Sequence, residues 1–330
     1  MKSVLMLKHI KVENANAISG LTYGFPAISN FLGFTHALSR TLQRKHNLAL
    51  GGCAVICHQH HVNAYQPAGW GDYVFSLTRN PLTKEAKTAA FVEEGRMHMD
   101  VSLLVECDFS DEDFDFNTGS DTQDVKCFQD FIREAALMQR LAGGTVQSIK
   151  DVVFAHVPDR SDELNRFTRN HLFKLLPGFA LVDRSELLKN HFDVLKVDKP
   201  EIEMIDAWLD FCALRQKARP EIKEGEMPNE DTSASWEYVP KPAKGWLVPI
   251  AIGFKAISPL YDGGEVARAR DPNTPFRFVE SAYGIGEWLG LHRIRDLDQL
   301  FWRYEVVGDF YLWRNQYAPQ PQVNNNQSDQ

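Results

Sequence analysis

Val4-Leu-Met-Leu-Lys-His-Ile-Lys-Val12 decides the fold. Val4, Met6, Lys8, Ile10 and Val12 alternate with Leu5, Leu7, His9 and Lys11, which reads as a strand. It is buried on both faces where it begins and more polar later. Residues 14–20 after it form a loop. Phe31, Leu32, Phe34, Leu38 and Leu42 then give the apolar stripe of a helix that Ser29 or Asn30 caps and that runs to about residue 46. Gly51-Gly52 breaks the chain before a second strand over 53–63. A third strand over 96–105 carries Met97, Met99, Val101 and Leu103 on one side. A second helix over 122–141 is expected to stop at Gly143-Gly144.

The order is strand, helix, strand, strand, helix. One more strand completes a ferredoxin-like βαββαβ unit and an α+β fold class. Either 145–157 or 179–182 supplies it. Beyond it, 161–178 and 185–217 read as helical. Residues 218–244, rich in Pro, Glu, Ser and Lys, read as a mobile loop. Residues 246–252 are strand-like, 263–277 form an arginine-bearing loop, and 276–302 alternate aromatics around Gly284-x-Gly286 before turning helical. Residues 316–330 read as a disordered tail.

Composition removes several classes. With 44% hydrophobic and 24% charged residues, the chain is neither disordered nor low-complexity. No apolar run reaches the roughly 18 to 20 residues of a membrane helix, so a cytoplasmic protein with no membrane partner is expected. Five cysteines (Cys53, Cys57, Cys107, Cys127 and Cys212) are too few and odd in number for a disulfide framework. The formal charge of −8 argues against a polyanion partner when taken as a whole. Yet Glu106, Asp108, Asp111, Glu112, Asp113, Asp115, Asp121 and Asp124 fall in one stretch without Lys or Arg. The rest of the chain is balanced and can still build basic surfaces.

Several motifs bear on chemistry. Cys53-x3-Cys57-His58-x-His60-His61 invites a metal, but Cys53 and Cys57 share one strand face and His58 and His60 the other. No metal and no cofactor is expected. The same histidines, His58, His60 and His61, suit general acid–base cleavage of RNA, with His58 or a neighbour as base. Asp111-x-Asp113-x-Asp115 lacks the glycine and closing glutamate of a calcium loop. Gly284-x-Gly286 lacks the third glycine of a dinucleotide site. The segment 64–95 is an arm between two strands. Its Trp70, Tyr73, Phe75, Arg79, Asn80, Lys84 and Lys87, followed by Arg96, combine stacking faces with cations, as single-stranded RNA requires.

Ten short blocks in order carry a resemblance. They include Asn14-Ala-Asn-Ala-Ile-Ser19, Gly24-Phe-Pro26, Gln66-Pro-Ala-Gly69, Leu77-Thr-Arg-Asn-Pro-Leu82 and Val92-Glu-Glu-Gly-Arg96. Leu141-Ala-Gly-Gly144, Leu175-Leu-Pro-Gly178, Gly245-Trp-Leu-Val-Pro249 and Arg270-Asp271 continue the series. The chain resembles the subunit of type I-F CRISPR (Csy) surveillance complexes that holds the five-prime handle of the guide RNA. That family lies in the RAMP superfamily, whose fold is ferredoxin-like and RRM-related with inserted arms.

The resemblance implies a RAMP domain over 1–182 with an arm at about 64–95. A helical segment and loop over 183–244, a segment over 245–315 packing on the first domain, and a tail over 316–330 follow. It implies a non-catalytic RNA-binding protein of antiviral defence. Its partners would be the CRISPR RNA, the large subunit, the repeated backbone subunits and, through the assembled complex, target DNA. Asn14, Asn16 and Asn80 are expected at base edges. Tyr23, Phe25 and Trp70 are expected as stacking faces, and Arg79, Arg96, Arg268, Arg270 and Arg277 on phosphates or bases. Gly143 and Gly144 are expected where backbone approaches RNA. The alternatives are an endoribonuclease processing CRISPR precursor RNA and a scaffold that touches only protein.

Overall fold

A computed structural model describes residues 3–317 apart from 77, 80, 93, 109–121, 222–226, 228, 230 and 231. The first strand, β1 (Ser3–Asn16), buries Val4 through Leu7 completely, as its two-sided apolar start demands. Helix α1 (Ile28–His46) follows, then β2 (Leu50–Val62), β3 (Arg96–Cys107) and helix α2 (Thr122–Leu137). A two-residue strand β4 (Arg140–Leu141) and the long β5 (Gly144–His156) complete the first half. The second half contains α3 (Ser161–Phe173), β6 (Phe179–Asp183), α4 (Ser185–Asp198), α5 (Met204–Cys212) and β7 (Leu247–Ala256). It ends with β8 (Val279–Gly290), β9 (Arg303–Val307) and β10 (Phe310–Arg314).

These ten strands form one sheet in the order β4-β5-β1-β3-β2-β6-β8-β7-β10-β9, each neighbour antiparallel. Both candidates for the missing strand are therefore strands. Residues 144–156 lie beside β1, and 179–183 extend the opposite edge beyond β2. Leu5, Leu7, Val55 and Leu103 point to one face, against Phe31 and Leu38 of α1 and Ile132 of α2. Val4, Met6, Ile56 and Leu104 point to the other, against Leu172 of α3 and Leu291 to Phe301. Helices α4 and α5 cover the outer strands through Leu188, Trp208, Phe211, Leu247 and Ile285.

Trp302 joins the halves. It is fully buried, its Nε1 donates to Leu181 O at 3.0 Å, and its backbone exchanges hydrogen bonds with Cys53 at 2.9 and 3.1 Å. Arg303 then forks onto Glu106 at 2.7 and 3.0 Å, while Gly52 N–H donates to the same carboxylate at 2.8 Å. The first carboxylate of the acidic stretch is thus a structural anchor. Asp111, Glu112, Asp113, Asp115 and Asp121 lie outside the described residues.

Some elements differ from the expectation. Helix α1 starts at Ile28, so Ser29 and Asn30 sit inside its first turn, and Asn30 Nδ2 reaches back to Ala27 O. Helix α2 stops at Leu137 rather than at 141. Ala142 and Gly143 both have positive φ, 51° and 74°, and close a tight hairpin between β4 and β5. The helix expected over 185–217 is two helices, because Pro200 cannot continue the first, and Gln216–Pro220 is strand.

Part of the loop expected over 218–244 is an exposed hairpin, in which Gln216–Pro220 pairs with Ala234–Tyr238. The helix expected before residue 302 is two 3₁₀ turns, Leu291–Arg293 and Asp298–Leu300. Leu291, Ile294, Leu297 and Leu300, all buried, recur every three residues, the period of a 3₁₀ helix. Gly284 and Gly286 serve packing: a Cβ on Gly284 would strike Ser185 Oγ, and one on Gly286 would crowd Ile250 and Leu181. The tail expected over 316–330 falls outside the described residues from 318 onward.

Candidate nucleic-acid interface

The C-terminal end of β1 gathers most of the sequence-predicted residues. Asn14 has φ 54° and sits where the β1–β3 register shifts between Val12 and Ala15. Its carbonyl accepts from Arg96 Nη1 at 3.3 Å. Arg96, at the start of β3, also donates Nε to Glu94 at 2.8 Å and pairs with that carboxylate through Nη2. Its charge is already partnered within the chain. Asn16 donates Nδ2 to Ile18 O at 2.8 Å and accepts from Ile18 N–H at 3.0 Å. Both polar ends of its side chain shape the following loop.

The β4–β5 turn lies against the same end, where Asn16 N–H donates to Ala142 O at 2.8 Å. Gly143 stands at its open tip with nothing within 4 Å of where a Cβ would be. Gly144 is different: a Cβ there would stand 2.7 Å from Ala15 N and Glu13 O. The close approach that requires this glycine is to β1.

Two short hairpins make up the arm's pairing. Ala64–Tyr65 pairs with Val74–Phe75, and Thr78–Arg79 with Phe91–Val92. Trp70 is 78% exposed at the tip of the first. Arg79 is placed in a strand by its backbone alone, and Asn80 lies outside the described residues. Ile18–Ser19 pairs with Thr22–Tyr23 in a short hairpin, and Tyr23, 72% exposed, meets Phe75 edge-on at 5.6 Å, which ties that hairpin to the arm. Phe25 is half-buried between Phe31, stacked at 5.6 Å, and Trp288, edge-on at 4.9 Å.

Arg268, Arg270 and Arg277 lie apart, in the segment joining β7 to β8. Arg277 pairs with Asp309 at 3.8 Å. Arg268, with φ 61°, and Arg270 are exposed.

The histidine-rich strand end is a second cluster. His58 stacks on His9 with centroids 4.1 Å apart, and His9 Nδ1 lies 3.1 Å from Asp100. His58 Nδ1 donates to Pro177 O at 2.8 Å, and its Nε2 accepts from Ser102 Oγ at 2.7 Å. Burial lowers the His58 pKa, which favours the neutral imidazole. Sequence reading missed His9, Asp100 and Ser102. Register shifts at Leu7/Ile10 in β1 and Cys57/Gln59 in β2 aim the two rings at each other across β3, and alternation cannot foretell a bulge. His60 and His61 do not join this cluster. Cys53 and Cys57 are buried, which pushes both thiols up to about 12.

The family model described as "CRISPR-associated protein (Cas_Csy2)" matches residues 5–314. The chain belongs to the Csy2 family of CRISPR-associated proteins. It is also 40% identical over 322 residues to "CRISPR-associated protein Csy2" of Pseudomonas aeruginosa (strain UCBPP-PA14), covering 95% of this chain and 94% of that protein. The match spans both halves of the sheet, so the β6–β10 extension belongs to the Csy2 fold as much as the first half does. No helix among the described residues of this Csy2-family chain is long and apolar enough to cross a membrane.

Proposed function

We propose that this Csy2-family protein is a non-catalytic, cytoplasmic subunit of a type I-F CRISPR surveillance complex that grips the five-prime handle of the guide RNA. The observation that carries the reading is the family match over almost the whole chain. Strand order supports a RAMP-type domain. Within β5-β1-β3-β2 the chain's four unit strands lie fourth, first, third, second, the arrangement of a ferredoxin-like unit. The grip consists of the β1 end, the β4–β5 turn, the Tyr23 loop and the Trp70 arm, which offer aromatic faces and backbone polar groups to single-stranded RNA. Arg268 and Arg270 take phosphate. The large subunit, the repeated backbone subunits and, through them, target DNA complete the assembly.

Formal charge −8 makes tight binding of random RNA by the lone chain unfavourable. His58 in particular is poorly placed as a base. Both its ring nitrogens are engaged within the protein, so it has no lone pair free to take a proton from a ribose hydroxyl.

The test is to co-express the tagged chain with its partner subunits and a repeat–spacer transcript, then sequence the co-purifying RNA. Reads sharing one repeat-derived five-prime end support the handle grip. An intact protein assembly without enriched RNA refutes it. Cleavage of repeat RNA by the purified chain in EDTA would refute the non-catalytic part.

A further inference from the structure

Beside the grip lies a cavity of about 190 Å³. Its walls include Tyr23, Phe25, His60, Trp246, Pro249 and Trp288. The rings brace one another. Phe25 meets Trp288 edge-on at 4.9 Å, Trp246 lies 6.4 Å from Trp288, and Phe179 meets Trp246 edge-on at 5.1 Å. The loop on the near side is pinned from the second half of the sheet, because Leu21 N–H donates to Tyr283 Oη at 2.9 Å. The cavity is therefore built from both halves and held open by aromatic contacts. Its rim residues Trp246 and Tyr23 remain 52% and 72% exposed.

The lining contains no Lys, Arg, Asp or Glu. Apart from the His60 imidazole, a phosphate or a carboxylate finds no cationic side chain there, and burying one unpaired is costly. Flat aromatic walls favour a neutral planar ring. Size points the same way: a cavity of about 150 Å³ holds benzene, and drug-sized ligands need about 300 Å³ or more. One ring system fits, and the chain bearing it stays outside. Ser19 adds a polar requirement. It lines the cavity at 6% exposed, and its hydroxyl has no hydrogen-bond partner among the described residues. An occupant with donors and acceptors on its edge suits this wall better than a hydrocarbon.

We infer that this cavity receives a single nucleobase, turned out of the strand, from RNA lying along the Tyr23 loop. The inference rests on the RNA-grip reading and adds to it a site that captures one base by stacking. The cavity shares Tyr23 and Phe25 with the grip, so a strand that passes the Tyr23–Phe75 contact reaches its mouth. Stacking on an aromatic face contributes to binding whichever base is present.

The experiment uses the full chain, co-expressed with its partner subunits, loaded with guide RNAs carrying 2-aminopurine at one handle position at a time. One position is expected to change its emission on binding, and Trp246→Ala is expected to reverse that change. An abasic nucleotide at that position in otherwise wild-type complex is expected to weaken RNA retention by about 5- to 150-fold, the range that one lost base–aromatic stack gives. Trp246→Ala should add little to the abasic loss, because both remove the same contact. This abasic arm leaves the protein unaltered and does not depend on how the variant folds.

If RNA is retained but no position responds to Trp246→Ala, the base site is refuted and the grip stands. If Trp246→Ala releases a partner subunit while RNA stays bound, the cavity holds a protein side chain and the inference is equally refuted. Failure of the wild-type assembly to retain RNA overturns both readings.

Discussion

Replacing Arg184 with Met tests how the second half of the sheet is held. Arg184 follows β6, and its Nη1 pairs with Glu287 of β8, which is only 2% exposed. Its Nε donates to Glu186 at 2.6 Å. The desolvation of the guanidinium is outweighed by these carboxylates, so its pKa rises. Removing Arg184 leaves Glu287 buried with only Arg293, 3.8 Å away and half exposed, as counter-charge. Breaking a buried pair in this way costs about 3–5 kcal/mol. Unfolding entropy of about 2.1 cal/mol/K per residue gives about 0.7 kcal/mol/K for the whole chain, so Tm falls by about 4–7 °C.

Arg184→Met combined with Glu287→Leu removes both charges and should recover most of that loss, since apolar replacement of a buried pair is often neutral. Urea and thermal melts, followed by tryptophan fluorescence, measure all four corners of the cycle. If the single variant loses less than about 1 kcal/mol, or the double variant loses the sum of the singles, the pair is not a coupled buried contact and the reasoning fails.

Gly144→Ala should destabilise by about 1–3 kcal/mol because its Cβ meets the β1 backbone, and melts should show it worse than Gly143→Asn, whose open turn tolerates a left-handed side chain. Arg268→Ala with Arg270→Ala in the assembled complex should reduce the steepness of the salt dependence of RNA retention by about 1.4 on a log–log plot, if each arginine neutralises one phosphate; an unchanged slope removes both from the grip. His58 and His171 both have pKa values lowered by burial, so the unfolded chain takes up protons first as pH falls. Stability should be full above about pH 6.5 and decline below it, and His58→Gln should flatten that decline in urea melts at stepped pH.

The first half of the fold was legible because its strands and helices announce themselves by period. Val4 to Val12 alternate, and Phe31 to Leu42 repeat as a helix must. The second half was harder, since its elements are short and take their form from what they pack on. The Leu291, Ile294, Leu297 and Leu300 repeat has a period of three, which a reader of helices takes for an α pattern. At the grip, the residue types were visible but their partners were not. Arg96 reads as a free cation until Glu94 is seen against it, and Asn16 as a base reader until both ends of its amide are found in the loop. Trp246 and Trp288 were not read as site residues because they come together with Tyr23 and Phe25 only when the far strands close beside the near ones.

The place of β6 in the sheet has a consequence for synthesis. Strand β2 is an internal strand of the finished protein, yet the residues that cover its outer edge, 179–180 and, at Cys53, Trp302, are made long after it. At about 5–20 residues per second a ribosome needs on the order of 10 s to travel from residue 62 to residue 179. Throughout that interval a nascent chain carrying Cys53 to Cys57 presents an unpaired, apolar ladder to its surroundings, the kind of template on which neighbouring chains pair wrongly. Yield in the cell should therefore depend on how fast this stretch is translated and on whether a chaperone shields it. Slowing the ribosome between those codons should cost soluble protein without altering a single residue.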